Sequence, residues 1–305
     1  MSPRNLSFAL FGNVYQHEKS AAIRQVLACL QEHGARILME EEYYDFLSCS
    51  ELIDAGDVET FCGNDFMADF VISMGGDGTL LRTASLVRER QTPIIGVNMG
   101  RLGFLADVSA KDFPAMVDAL YHDDYTVEDR ALIQVETNGD PIDGYNCALN
   151  DVAILKRDTA SMISIRTSIR SAEDCAKGEH FEYLTTYQAD GLIVSTPTGS
   201  TAYSLSNGGP IIVPRTGVML ITAVAPHSLN VRPIVIPDSA EIELTVSSRS
   251  HTFLVAIDGH SSKMPEGITL HLRRASYTVK IVKRPGARYF STLREKMMWG
   301  ADTRG

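Results

Sequence analysis

An α/β fold in two parts, an N-terminal doubly wound α/β domain followed by a C-terminal antiparallel β-sandwich-like domain, is predicted by three observations on this sequence. Through residue 125, short apolar runs alternate with segments of helical period, the pattern that strands and crossover helices give to a parallel sheet. From residue 126 the texture changes to short β-branched runs separated by turn residues, as antiparallel sheets require. Within the first part lies a sharp strand-to-helix junction. The apolar run 70–74 ends in Gly75-Gly76-Asp77-Gly78-Thr79, after which Leu80, Leu81, Ala84 and Val87 recur on one helical face.

In the first part, residues 6–11 read as a strand, and Ile23, Val26, Leu27 and Leu30 share the face of a helix that Gly34 stops. Residues 35–39 read as a second strand, 41–49 as a second helix and 93–98 as a later strand. Ligands of such sheets bind beyond the carboxyl ends of the strands, where the glycine turn falls. The loop 98–105 follows the next strand and should line the same crevice, with Arg101 a candidate for phosphate or a solvated arginine. In the second part, strands are predicted over 133–135, 153–155, 162–169, 193–194, 218–224, 234–236, 242–246, 253–257 and 268–272. The hydrophilic piece 171–179 reads as a mobile hairpin loop. Residues 291–299 regain a helical pattern through Leu293, Met297 and Met298. The expected division is therefore 1–125, 126–284, and a C-terminal helical segment 285–305 that returns to the first domain or to an oligomer interface.

Composition narrows the function. With 305 residues, 44% hydrophobic and 22% charged, the chain can build two cores. A formal charge of −10 argues against nucleic acid or a membrane surface as partner, since both call for a basic face. Cys29, Cys49, Cys62, Cys147 and Cys175 are scattered without a C-x-x-C pair, so neither a zinc site nor a disulfide framework is indicated and a cytoplasmic location is expected. No run approaches the roughly 20 apolar residues of a membrane span, and 6–11 is too short for a signal peptide.

Three stretches carry chemistry. Gly75, Gly76 and Gly78 let the backbone approach a ligand closely, and the free N–H groups of the helix start favour anions, which suits a phosphate. Asp77 stands where proton or metal chemistry is useful; the plainer alternative is a tight turn with Asp77 as the helix cap. The run 190–210 flanks an apolar strand with a carboxylate and then with many hydroxyls and glycines, which can meet a flat polar ligand such as a base or ribose. A serine- and threonine-rich capping loop is the alternative there. Asn150-Asp151 pairs an amide suited to an adenine edge with a carboxylate suited to sugar hydroxyls, or is an ordinary turn pair.

These residues resemble the NAD kinases, which phosphorylate the adenosine 2′-hydroxyl of NAD to make NADP. The matches are Gly75-Gly76-Asp77-Gly78-Thr79, the loop 98–105 around Gly103-Phe104-Leu105, Asn150-Asp151, the run 190–210, Pro226-His227-Ser228-Leu229 with the segment 232–236, and Asp258-Gly259-His260. They occur in family order. The glycine-aspartate motif is shared with diacylglycerol and sphingosine kinases and is similar to one in phosphofructokinases; the run 190–210 favours the NAD kinases over a lipid kinase. A sensing module that binds NAD or NADP without catalysis would have no need of Asp77.

The resemblance implies an NAD kinase/phosphofructokinase-like fold, a phosphotransferase acting in the cleft between its domains, NAD and ATP as substrates, a homo-oligomer (dimer or tetramer), and a divalent cation, Mg²⁺. It also implies roles by position. Asp77 is the proton acceptor for the 2′-hydroxyl, a metal ligand, or both. Gly75, Gly76, Gly78 and Thr79 cradle phosphates, with Arg82 on the first helical turn in contact with them. Phe104 packs on the adenosine side of NAD; Asn150 and Asp151 bind adenine and ribose, with Thr198, Thr201 and Ala202 beside them. Asp190, Tyr203, Ser206 and His260 contact the remaining ribose, nicotinamide or phosphate groups. Asp151 stands where glutamate is common, His260 where glutamine is common, and Asn207 replaces a usual alanine. His227 reads as a packed histidine rather than a ligand.

Overall fold

The computed structural model describes residues 5–14, 20–53, 58–100, 103–157, 161–178, 180–284, 286 and 288–298. Arg101, Glu179 and Trp299, each part of a sequence expectation above, lie outside the described residues. The chain divides into two compact units, residues 1–129 with 279–305, and residues 130–278.

The first unit contains β1 (Ser7–Gly12), α1 (Ser20–Glu32), β2 (Arg36–Glu40), α2 (Glu41–Cys49), β3 (Glu59–Phe61), β4 (Phe70–Gly75), α3 (Asp77–Val87), β5 (Ile94–Asn98), β6 (Val108–Ser109) and α4 (Phe113–Tyr121). Strands β3-β2-β1-β4-β5 lie side by side in that order and are all parallel. Helices cover both faces because alternate strand residues are apolar on both. Phe70, Ile72 and Met74 share one core with Ile23, Val26 and Leu30 of α1, Leu47 of α2 and Phe113 and Val117 of α4. On the opposite face, the Thr83 hydroxyl of α3 donates to Ser73 Oγ of β4 at 3.1 Å. The predicted face of α3 shifts slightly: Thr83 is buried and Leu81 only partly so. The sheet order reverses between β1 and β4, so the turn leaving β4 sits at the topological switch point.

The rest of the chain comprises β7 (Thr126–Thr137), β8 (Cys147–Ala148), β9 (Asp151–Lys156), β10 (Ile163–Arg170), α5 (Ala172–Lys177), β11 (Glu182–Ala189), β12 (Gly191–Ser195), α6 (Tyr203–Ser206), β13 (Val218–Val224), β14 (Ile234–Pro237), β15 (Glu241–Ser247), β16 (Thr252–Ile257), β17 (His260–Pro265), β18 (Thr269–Lys283) and α7 (Tyr289–Met297). Strands β7 and β18 carry the chain from one unit to the other. Within the second unit, β14-β13-β12-β9-β16-β17 form an antiparallel sheet of six strands, and β11-β10-β15-β18 pair antiparallel in another. Ile154, Leu192, Val194, Ile221 and Val255 of the first pack with Ile165, Ile242, Leu244 and Leu272 of the second in one core, a sandwich as expected.

One local expectation is corrected. The stretch 171–178 is not an open loop: Ser171 and Asp174 form a reciprocal capping box on α5, and Gly178 ends it with a left-handed φ of 70°. The polarity that read as loop is that of a short helix with no buried residue. At the C-terminus, α7 buries Leu293, but Met298 is exposed. All five cysteines are free thiols. Among the described residues, no helix is long and apolar enough to cross a membrane.

Candidate active site

One group of candidate residues grows from the β4–α3 junction. Gly76 is the N-cap of α3 and makes no side-chain cap bond, while Asp77 opens the helix and turns its carboxylate to the loop after β5. Asp77 Oδ2 accepts the Phe104 N–H at 2.9 Å, and Oδ1 accepts those of Leu105 at 3.0 Å and Ala106 at 3.1 Å. A Cβ on Gly103 would lie 2.0 Å from Asp77 Oδ1, so only glycine admits this approach. The fourth donor is the Lys296 ammonium of α7, 3.2 Å from Oδ2. Two oxygens with two lone pairs each therefore have four donors, and Asp77 is a loop-holding carboxylate rather than the helix cap. Burial acts to raise the Asp77 carboxyl, but the N–H groups of Ala106 and Phe104, the Lys296 charge and the Leu105 N–H outweigh it and hold it below its ordinary value.

Around Asp77, Gly75 is buried, Gly76 and Thr79 are half-buried and Gly78 is exposed. Phe104 is half-buried, and the Lys296 ammonium lies 4.5 Å from its ring centroid. Arg82 departs from expectation. Because α3 begins at Asp77, Arg82 lies on the second turn, and its guanidinium donates to Glu40 at 2.8 and 2.5 Å and to Glu42 at 3.0 Å. Those carboxylates occupy the fork that phosphate contact would need. Glu40 is only 5% exposed, so Arg82→Ala should lower unfolding free energy by about 2 kcal/mol, below the 3–5 of a fully buried pair because the arginine is partly solvated. A urea melt checks this; a phosphate-binding role would instead raise the KM for the phosphoryl donor at unchanged stability.

A separate group of candidate residues lies on the six-stranded sheet of the other unit. Asp258 and Gly259 form a two-residue hairpin turn between β16 and β17, with φ of 47° and 89°. The Asp258 carboxylate accepts the N–H groups of Leu149 at 2.7 Å, Asn150 at 2.8 Å and Asp151 at 3.0 Å. The hydroxyl run meets the same backbone: Thr196 N–H donates to the Asn150 carbonyl at 2.9 Å, and Thr196 Oγ1 to the Leu149 carbonyl at 2.6 Å. Gly199 passes so close that a Cβ there would lie 2.0 Å from the Asn150 oxygen. Ser204 Oγ and Thr222 Oγ1 of β13, 2.9 Å apart, fix α6 over the sheet.

The structure thus brings Asn150, Asp151, Thr198, Thr201 and Ala202 to one surface. Asn150, Thr201 and Ala202 are half-buried and Asp151 and Thr198 buried, while Tyr203, Ser206 and His260 are exposed. Asp190, at the step from β11 to β12, pairs its carboxylate with Lys156 Nζ at 2.7 Å. Asp258 has no role in the sequence reading; the Asp-Gly turn signal is present there, but nothing local tells that the side chain reaches the N–H groups of residues 149–151. Burial, and then the Asp258 charge, push the Asp151 carboxyl up to about 7. A group raised on folding stabilises below its unfolded pKa and loses that contribution as pH rises through the folded value. Asp151→Asn, which mimics the neutral acid, should therefore raise Tm relative to the parent more at pH 8 than at pH 5, as scanning fluorimetry would read.

Among the described residues no three His, Cys, Asp or Glu side chains converge as a metal cage.

Residues 8–125 match the family model of the ATP-NAD kinase N-terminal domain, and residues 149–284 that of the ATP-NAD kinase C-terminal domain. An NAD kinase of Bacteroides fragilis is 52% identical over 299 residues, covering 98% of this chain and 100% of the relative. One from Porphyromonas gingivalis is 40% identical over 97% of this chain and 99% of its own. Among solved structures, yeast NADH kinase complexed with NADH superposes with a TM-score of 0.85 at 21% identity, covering 99% of this chain and 90% of that one. An NAD kinase from Archaeoglobus fulgidus in complex with ATP gives 0.70 at 23% identity, over 96% and 99% of the two chains. At these identities the two structures speak to the fold.

Proposed function

Because the chain belongs to the NAD kinase family, we propose that it transfers the terminal phosphoryl group of ATP to the adenosine 2′-hydroxyl of NAD, making NADP, with Asp77 as the proton acceptor. The carrying observation is the setting of Asp77: an ionised carboxylate at the switch point of the sheet, beside a glycine turn and a helix N-terminus. A hydroxyl is a poor nucleophile until its proton is accepted. As the 2′-oxygen attacks the terminal phosphorus in line, its proton passes to Asp77, the new O–P bond forms, and the bridging P–O bond breaks with its electron pair leaving on ADP.

The N–H groups around Gly75, Gly76, Gly78 and Thr79 offer partial positive charge to the donor phosphates. Phe104 is assigned to the adenosine side of NAD, Asn150 and Asp151 to adenine and ribose, and Thr198, Thr201 and Ala202 to their surroundings. Asp190, Tyr203, Ser206 and His260 are assigned to the rest of the dinucleotide; the exposure of Tyr203, Ser206 and His260 leaves them open to it, while Asp190 is half-buried and paired with Lys156. We assign Mg²⁺ to the donor phosphates, where it neutralises developing charge; excess EDTA should abolish turnover. We also infer a homo-oligomer, dimer or tetramer, to be read from its elution mass, and a cytoplasmic location, which free thiols suit.

The test is direct: purified protein with NAD, ATP and Mg²⁺, scored for NADP beside Asp77→Asn. No NADP from the parent protein would overturn the function.

A further inference from the structure

The four donors on Asp77 are unequal, and that inequality points to a residue with no role so far. For a substrate hydroxyl to hand over its proton, it must occupy one of the four lone-pair positions. Three are held by consecutive backbone N–H groups of one loop, 104–106, whose flanking Gly103 is pressed against the same carboxylate. These cannot leave singly. The fourth belongs to Lys296, a flexible side chain that is 30% exposed, on a helix buried only through Leu293. The same ammonium also covers the ring of Phe104 at 4.5 Å. One cation thus stands on both groups that the proposed reaction assigns to the acceptor nucleoside.

We propose that Lys296 is a further catalytic residue, a cation that the acceptor nucleoside displaces from Asp77 and Phe104 and that then moves to the phosphoryl group being transferred. The proposal rests on the assignment of Asp77 as proton acceptor. Displacement vacates the lone pair that the 2′-hydroxyl needs. It also leaves a positive charge on a long side chain beside the oxygens where negative charge accumulates during transfer. Lysine serves this better than a fixed donor because the ammonium is a mobile point charge.

Two kinetic effects of opposite sign follow. In Lys296→Met the nucleoside no longer competes with a cation, so the KM for NAD should fall severalfold, about 3-fold or more. The transferred phosphoryl loses its partner, so kcat should fall about 10-fold or more. Lys296→Arg keeps a charge of similar reach and should recover most of kcat. A merely structural lysine would give the reverse on KM, since a loosened site binds substrate less well. An unchanged kcat, or a KM for NAD that stays or rises, would overturn the role of Lys296. An active Asp77→Asn alongside would show that the failure lies in the proton-acceptor reading instead.

Discussion

Asp77→Asn should lower kcat for NADP formation by about 10²-fold or more, the usual contribution of a positioned general base. The variant has a second consequence that must be separated from the first. The carboxylate accepts from Phe104, Leu105, Ala106 and Lys296, whereas an amide oxygen can accept from only part of that set and turns its NH₂ toward the remaining donors. Leaving a buried N–H without an acceptor costs about 1–3 kcal/mol, so the loop 104–106 should loosen and Tm fall. The two effects separate because loop loosening weakens binding while loss of the base slows chemistry at saturation. A stable, saturable Asp77→Asn with kcat near that of the parent protein would remove Asp77 from the chemistry and leave it a loop-holding residue. The depressed pKa of Asp77 also places the acid limb of the activity profile below the ordinary carboxylate range, since activity needs the ionised form.

Much of this architecture is legible in the sequence, for a physical reason that differs by element. Strands β4 and β13 and helix α2 fall where apolar period and turn residues place them, because burial on one or both faces dictates local sequence. Strands β11 and β17 leave little trace in the sequence: Glu182–Ala189 and His260–Pro265 carry many polar residues and owe their conformation to their partners β10 and β16. The same division holds at the site. Gly75 to Thr79 and the hydroxyl run advertise themselves by composition. What Asp77 and Asp258 hold does not, because each reaches three successive N–H groups far away in sequence. Arg82 shows the cost of reasoning from one helix alone: its partners Glu40 and Glu42 come from the neighbouring strand and helix, and spacing within α3 cannot reveal them.

Asp258→Ala should loosen the backbone at 149–151 as Asp77→Asn loosens the loop 104–106, with the kinetic signature inverted. Three N–H groups at residues 149–151 lose their acceptor, at about 1–3 kcal/mol for each left buried. Removing a buried charge gives part of that back, so a net loss near 3 kcal/mol is expected. Because those N–H groups fix the backbone on which Asn150 and Asp151 stand and on which Thr196 is bonded, the KM for NAD should rise about 10-fold or more. At saturating NAD, kcat should change far less, since Asp258 touches neither the donor nor the hydroxyl in the proposed reaction. The pH dependence supplies a check that a general loss of stability would not. Burial raises Asp258, partly offset by its three N–H partners and His260, and the Asp258 charge adds to burial in raising Asp151 to about 7. Both groups bind protons more tightly when folded, so their contribution to stability is full below the unfolded carboxylate pKa and is lost as pH rises through their raised folded values, for Asp151 about 7. Asp258→Ala deletes one of the two and returns Asp151 toward its ordinary value. Urea unfolding between pH 5 and pH 8 should therefore show a flatter pH dependence in the variant. A slope as steep as in the parent protein would mean that the two carboxylates do not share a field.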